Sequence, residues 1–204
     1  MPDAVVQQAI VAAAQRLLTS GGAAAMTMER VATEAGIAKK TLYRFADDRA
    51  ALIGMLVGSW IEPIFPGFGV GANDEDAPAA LTRFLGDIAR AVLSADAVSL
   101  YRMLVSDAEL RERFLATYNE RGIERSRAEL ARWLTRKEAT GGLRLPVAAE
   151  RAADLLLSAV IAEPLRQITL GLIAPLPAWD IAPRIADTVR LITQGRTGAA
   201  DEKG

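Results

Sequence analysis

The sequence contains no cysteine and no histidine. The first absence excludes disulfide bonds and thiolate chemistry. The second removes the commonest metal ligand and the commonest general base. The sequence also has no glycine-rich loop of the phosphate-binding type and no cluster of metal-ligand residues. These absences make catalysis the weaker interpretation, so we expect neither an enzymatic activity nor a cofactor.

Long apolar runs and an excess of one charge are missing as well. No stretch approaches the roughly 20 apolar residues of a membrane-spanning helix. The N-terminus lacks the basic and then apolar pattern of a signal peptide, so we expect a cytoplasmic protein. With 24 basic and 25 acidic side chains the net charge is −1. Any affinity for nucleic acid must therefore depend on where the charges lie.

Aromatic residues make up only 5% of the chain, whereas 51% of its residues are apolar. Alanine and leucine are common, which favours helices, and no strand pattern appears. Apolar residues at helical spacing, punctuated by glycine and proline, predict an all-α fold. The predicted helices cover about 3–20, 28–35, 39–44, 49–60, 78–92, 98–105, 106–118, 119–140, 146–170 and 178–194, with a loop over 62–77.

Three local signals refine this pattern. Ser106 and Glu109 have the spacing of a capping box, which predicts a helix start there. Pro146 suits the beginning of a helix. Pro164 lies inside the same predicted helix and is expected to kink or break it, because proline lacks the backbone N–H.

The stretch from Met26 to Leu52 reads as a helix, a tight turn and a second short helix. Thr27 can accept a hydrogen bond from the free amides at the start of the first helix. Gly36 can adopt the left-handed conformation that often ends a helix. The spacing fits a helix-turn-helix, whose second helix lies in the major groove of DNA.

The second of these helices has one large apolar residue, Leu42, surrounded by Lys39, Lys40, Thr41, Tyr43 and Arg44. A helix with so little apolar surface contributes little to a core. Its cationic, hydroxylated and aromatic face has the groups that bind phosphates and base edges. The pattern therefore predicts a DNA-contacting helix.

The run AGIAKKTLY, followed by a basic residue and a leucine, resembles the DNA-binding domain of TetR-type transcriptional regulators. Two positions depart from the family pattern. Ala38 stands where the family usually has a capping Ser or Thr, so the cap of the recognition helix is expected to be lost. Ala46 stands at the family's aromatic position and Phe45 one place before it, and the sequence leaves open which of them fills that place.

The resemblance implies a three-helix DNA-binding domain over 1–48 and a helical regulatory and dimerisation domain over 49–195, followed by a disordered tail over 196–204. In that architecture the first turn of the recognition helix meets the base edges. The basic residue at the start of the next helix touches a phosphate. The predicted DNA-binding residues are Thr27, Ala38, Lys39, Lys40, Thr41, Tyr43, Arg44 and Arg49.

The same resemblance implies a small-molecule effector bound within the C-terminal helices. Polar groups are sparse among the candidate residues, which favours an apolar or aromatic ligand. The candidate ligand-binding residues are Trp60, Phe84, Tyr101, Arg102, Phe114, Tyr118, Trp133 and Glu163. The last two predicted helices are apolar over wide faces and pair in the resembled family, so we expect a homodimer formed through them.

These inferences together predict a homodimeric regulator that binds a palindromic DNA operator. The resemblance favours a repressor that is released from the operator by its ligand. The alternative is a protein-interaction module that has the helix-turn-helix fold but does not bind DNA. Salt-dependent DNA binding distinguishes the two hypotheses.

Overall fold

The computed structural model of the chain describes residues 2–62 and 76–194. Its described part is helical apart from connecting turns and an isolated bridge between Ser94 and Leu176, which confirms the predicted all-α fold. The α-helices are α1 (Asp3–Ala25), α2 (Met28–Glu34), α3 (Lys39–Phe45), α4 (Arg49–Ile61), α5 (Ala77–Val92), α6 (Ala95–Ser106), α7 (Ala108–Tyr118), α8 (Arg125–Ala139), α9 (Ala149–Leu157), α10 (Glu163–Thr169) and α11 (Ala182–Gln194). Two π-helical segments, Asn119–Glu124 and Ser158–Ala162, precede α8 and α10.

The described residues form two compact units. The first contains residues 2–62 and 95–123, that is, α1 to α4 with α6 and α7. In this unit α1 packs against α2, α4 and α6, while α4 also packs against α7. Its core is formed by fully buried apolar side chains, including Ile10, Val31, Leu52, Leu56 and Phe114.

The second unit contains residues 76–94 and 124–194, with α5 and α8 to α11. Helix α9 packs against α8 and α11, and α11 packs against α5. Buried residues such as Leu81, Phe84, Trp133 and Leu156 fill its core. These two units are defined by packing alone. The division into a DNA-binding domain over 1–48 and a regulatory domain over 49–195 stays a prediction.

Several predicted helix starts are wrong. Helix α6 begins at Ala95 instead of residue 98 and α11 at Ala182 instead of residue 178, and the starts predicted at Ser106 and Pro146 are also displaced. Ser106 is the last residue of α6, and its hydroxyl donates to the carbonyl of Met103 at 3.2 Å in the same helix. Helix α7 begins at Ala108 instead, and the Asp107 carbonyl accepts its first helical bond from the Arg111 amide at 3.0 Å. Pro146 likewise lies before α9, which begins at Ala149.

The chain around Pro164 changes its helical register, as its missing N–H leads one to expect. The last π-type bond runs from the Glu163 N–H to the Ser158 carbonyl, five residues earlier. The next bond of that register would join Pro164 to the Ala159 carbonyl, and proline cannot donate it. Arg184 of α11 takes its place, because its Nε donates to the Ala159 carbonyl at 2.6 Å. A side chain of α11 therefore satisfies the carbonyl that Pro164 leaves without a backbone donor.

Parts of two predictions fall outside the described residues. They are most of the loop predicted over 62–77 and the tail predicted to be disordered over 196–204. Over 2–62 and 76–194, no helix combines the length and the apolar character that crossing a bilayer requires.

The Arg184 contact predicts a difference between two arginines of the same helix. Arg184→Met should lower the free energy of unfolding by about 1–3 kcal/mol, since the part-buried Ala159 carbonyl loses its donor. Arg190, which forms a 3.5 Å exposed ion pair with Asp187, is the control. Its change to Met should alter stability by less than about 0.5 kcal/mol. Urea denaturation of both variants tests this, and equal losses would contradict the assigned role of Arg184.

Candidate nucleic-acid interface

Helix α2 begins with the cap expected at Thr27. The Thr27 backbone is extended, and its hydroxyl accepts a hydrogen bond from the Arg30 amide at 3.3 Å. Val31 and Ala32 are buried, whereas Glu29 and Arg30 face solvent. The cap thus fixes where α2 starts. The face of α2 that contains Val31 and Ala32 packs against the rest of the unit.

The turn between α2 and α3 requires a glycine. Gly36 has a φ of 66°, in the left-handed region that residues with a Cβ adopt only at a cost. Its N–H donates to the Thr33 carbonyl at 3.1 Å, and the Ile37 N–H donates to the Ala32 carbonyl at 3.0 Å. These two bonds close α2 and aim the chain into α3, as the sequence predicted.

Helix α3 is attached to the unit through a single buried residue of its own. Leu42 is fully buried, while Lys39, Lys40, Tyr43 and Arg44 are exposed. Ala38 at the N-cap makes no side-chain hydrogen bond, which confirms the expected loss of the cap. The helix therefore presents nearly all its polar side chains to solvent.

The structure answers which residue fills the place of the family aromatic. Ala46 is almost fully buried, and Phe45 is half-buried with the Arg44 guanidinium carbon 4.9 Å from its ring centre. The small Ala46 side chain occupies the interior position, and Phe45 does not rotate into it. At the end of α3 the interior position is therefore filled by a residue without an aromatic ring.

Two cations of α3 are held by carboxylates from other helices. The Lys39 ammonium forms an ion pair with Glu29 of α2 and lies 5.9 Å from the Tyr43 ring centre. The Arg44 Nη2 lies 2.7 Å from the Asp3 Oδ1 of α1. The hydrogen bond with Lys39 lowers the pKa of the Glu29 carboxyl, and the same bond raises the pKa of Lys39. Both pairs are exposed to solvent, so each contributes little to stability.

Lys40 differs from these two cations, since it forms no ion pair with any residue over 2–62 and 76–194. Glu29 and Asp3 were not recognised as part of the site in the sequence. They lie 10 and 41 residues from the cations they contact, and nothing in their local sequence indicates those partners.

Arg49 lies in a different environment from the α3 cations. It is half-buried at the start of α4, where its Nη2 lies 3.2 Å from the Met103 sulfur of α6. The Asp48 carboxylate caps α4 by accepting from the Ala51 amide at 2.8 Å, as predicted. Arg49 and Asp48 line a polar cleft of about 170 Å³ together with Ala50, Asp107, Glu109 and Arg113.

The candidate ligand-binding residues are divided between the two units. Trp60, Tyr101, Arg102, Phe114 and Tyr118 belong to the first unit, and Phe84, Trp133 and Glu163 to the second. Phe84, Phe114 and Trp133 are buried core residues.

Tyr118 and Glu163 are the candidates with perturbed ionisation. The Phe114 and Tyr118 rings are 5.9 Å apart, and burial raises the pKa of Tyr118 to about 12. The Glu163 carboxylate accepts hydrogen bonds from Arg166 and Gln167 at 2.7 Å, which lower its pKa to about 2.

Two family models match the chain. The model of bacterial regulatory proteins of the tetR family matches residues 10–55. The model of the AefR-like transcriptional repressor C-terminal domain matches residues 79–194, which is more than half of the chain. The chain belongs to the TetR family of transcriptional regulators. A comparison with curated protein sequences finds no match.

Solved structures of TetR-family regulators share this fold. A regulator from Mesorhizobium loti superposes with a TM-score of 0.75 at 19% identity, covering 93% of this chain and 96% of its own. FadR from Thermus thermophilus, in complex with lauroyl-CoA, gives 0.68 at 17% identity and covers 97% and 98%. FadR from Bacillus subtilis, in complex with stearoyl-CoA, gives 0.67 at 14% identity and covers 92% and 98%. At these identities the likeness concerns the fold.

The uncapped start of α3 in this TetR-family chain predicts a stabilising substitution. Ala38 has φ −66° and ψ 143°, an extended N-cap geometry that needs only a side-chain acceptor. Ala38→Ser should raise the free energy of unfolding by about 0.5–1 kcal/mol. Ala38→Val offers no acceptor and should bring no such gain. Urea denaturation distinguishes the two variants, and equal stability of Ser and Val would show that no cap forms.

Proposed function

We propose that the chain is a sequence-specific DNA-binding regulator, acting as a homodimer on a palindromic operator and as a repressor that its ligand releases. The observation that carries the proposal is α3, whose basic and aromatic side chains face solvent around the single buried Leu42. The family model that covers residues 10–55 includes every predicted DNA-binding residue. The proposal assigns no catalysis to this chain, which has neither histidine nor cysteine.

The roles proposed along α3 follow from side-chain chemistry. Lys39 and Lys40 stand in its first turn and can donate to guanine acceptors. Thr41 can donate to a phosphate or contact a thymine methyl group. Tyr43 and Arg44 have donors of the right kind for the sugar-phosphate backbone.

The remaining proposed contacts flank α3. Thr27, at the start of α2, can reach the DNA backbone, and Ala38 lies beside the DNA at the start of α3. Arg49 is half-buried with its Nη2 3.2 Å from the Met103 sulfur, and its guanidinium has the donors that a phosphate contact needs.

Exposed leucines in the second unit support the homodimer. The exposed fractions are 46% for Leu155 of α9 and 75% for Leu191 of α11, with 63% and 66% for Leu170 and Leu172 after α10. Two of these leucines lie on α9 and α11 and two follow α10, which fits a surface that a second copy covers. A two-fold dimer would present two copies of α3, which matches the two half-sites of a palindromic operator.

The effector we propose is small and apolar or aromatic. The two FadR structures of the same fold hold lauroyl-CoA and stearoyl-CoA, which makes long acyl chains the first ligand class to test here. Release from DNA would be a population shift, in which the ligand binds the DNA-incompetent state more tightly. Within the first unit, Tyr101, Arg102 and Tyr118 are the candidates whose hydroxyl or guanidinium groups could orient such a ligand.

Fluorescence anisotropy against DNA from upstream of the chain's own gene, beside a scrambled duplex, tests the proposed function. We expect binding to be selective and to weaken steeply with salt. Lys40→Ala should weaken binding about 5- to 100-fold, since a lysine contact to guanine is lost. Lys137→Ala removes the same charge from α8 and should change affinity less than about twofold.

If Lys40→Ala and Lys137→Ala change DNA affinity equally, α3 is not part of the DNA interface. Absence of binding by the wild type to that duplex and to a random duplex pool would leave the protein-interaction alternative. Where binding occurs, adding lauroyl-CoA or stearoyl-CoA to the same complex tests release.

A further inference from the structure

We propose that Glu29 is a charge-masking residue, which holds the Lys39 ammonium in the free protein and thereby limits the affinity of the recognition helix for DNA. The inference rests on the proposed DNA-binding function and adds a residue to it. Glu29 makes no contact with DNA in the roles given above. It acts through Lys39, the first residue of α3.

The geometry places the carboxylate where it competes with a phosphate. Glu29 lies in the first turn of α2, two residues from Thr27, and its side chain is 64% exposed. Lys39 is 50% exposed, and its ammonium contacts Glu29 while lying over the Tyr43 ring. A phosphate or a base acceptor must displace this carboxylate to bind the ammonium fully. If Glu29 is not displaced, the phosphate or base acceptor meets an ammonium whose charge the carboxylate already neutralises.

A second pair repeats the arrangement at the other end of the same helix. Arg44 is the last basic residue of α3, and Asp3 of α1 holds its Nη2 at 2.7 Å. Both carboxylates come from outside α3, which has no acidic residue of its own. Among the three cations of α3, Lys40 is the one that no carboxylate of the described residues pairs with.

The size of the effect follows from the exposure of the pair. Exposed ion pairs are weak, so releasing one cation changes a binding constant by no more than about fivefold. Freeing one cation for one phosphate also steepens the dependence of log K on log salt by about 0.9. The mask therefore changes DNA affinity only modestly, and the slope of log K against log salt is the second quantity that detects it.

Glu34 provides a matched control within α2. It is also an exposed glutamate in an ion pair, with Arg16 at 2.6 Å, and Arg16 is not among the proposed DNA-binding residues. Glu29→Gln and Glu34→Gln each raise the net charge of the chain by one and keep the side-chain shape. A difference between the two variants therefore reports the position of the charge.

The first test is DNA affinity by anisotropy across a salt series. Glu29→Gln should bind about two- to fivefold more tightly than wild type, with a steeper salt dependence, and Glu34→Gln should resemble wild type. Asp3→Asn should tighten binding in the same direction through Arg44. Equal unfolding midpoints of the variants exclude a change in folding. Weaker binding by Glu29→Gln, or no difference from Glu34→Gln, would overturn the mask.

The second test separates the mask from the proposed function. On immobilised heparin, a polyanion without sequence, Glu29→Gln should elute at higher salt than Glu34→Gln. If this difference appears while no duplex DNA is bound, Glu29 still neutralises Lys39 towards a polyanion, but the DNA-binding function falls and with it the proposed effect on DNA affinity. If wild type binds DNA but both variants behave alike on heparin and on DNA, the function stands and the mask falls.

Discussion

The burial of Leu42 is the constraint on which the candidate interface depends. Helix α3 has seven residues, far fewer than a helix needs to be stable alone in water. It also lacks a side-chain cap at Ala38. Burying one leucine contributes about 1.5–3 kcal/mol, and Ala46 packs beside the end of the helix. This anchor and the Gly36 turn hold α3 in place, so its polar side chains are not needed to pack the helix against the unit.

The charges around α3 show how a chain with a net charge of −1 can present a basic surface. The cations on α3 are placed by the helix, while the acidic partners reach in from α1 and α2. This arrangement places charge locally without raising the bulk charge of the protein. The proposed DNA contacts and the proposed mask therefore involve the same few residues.

The sequence predicted best those features that depend on neighbouring residues. The caps at Thr27 and Asp48 and the left-handed Gly36 are short-range devices, and all three are present. The change of helical register at Pro164 also follows from the chemistry of one residue. Ser106 shows the limit of such reasoning, because its hydroxyl had a competing acceptor one turn back, the Met103 carbonyl.

Features that depend on distant residues could not be predicted in this way. The ion pairs of Lys39 and Arg44 join different helices, and Arg49 is placed by its contact with Met103, 54 residues away. The choice between Phe45 and Ala46 depended on the space left inside the first unit. The Arg184 bond to Ala159 likewise required the relative position of α11 and the π-helical segment.

Selection from a pool of random DNA duplexes tests most directly the claim that two copies of α3 read an operator. The wild-type protein should enrich an inverted repeat whose half-sites are centred about one helical turn, or a small multiple of it, apart. The inverted repeat should be enriched wherever it lies within the random duplex. Enrichment of a single unrepeated motif would contradict the two-fold dimer. Failure to enrich any sequence, with the protein folded, would contradict sequence-specific DNA binding itself.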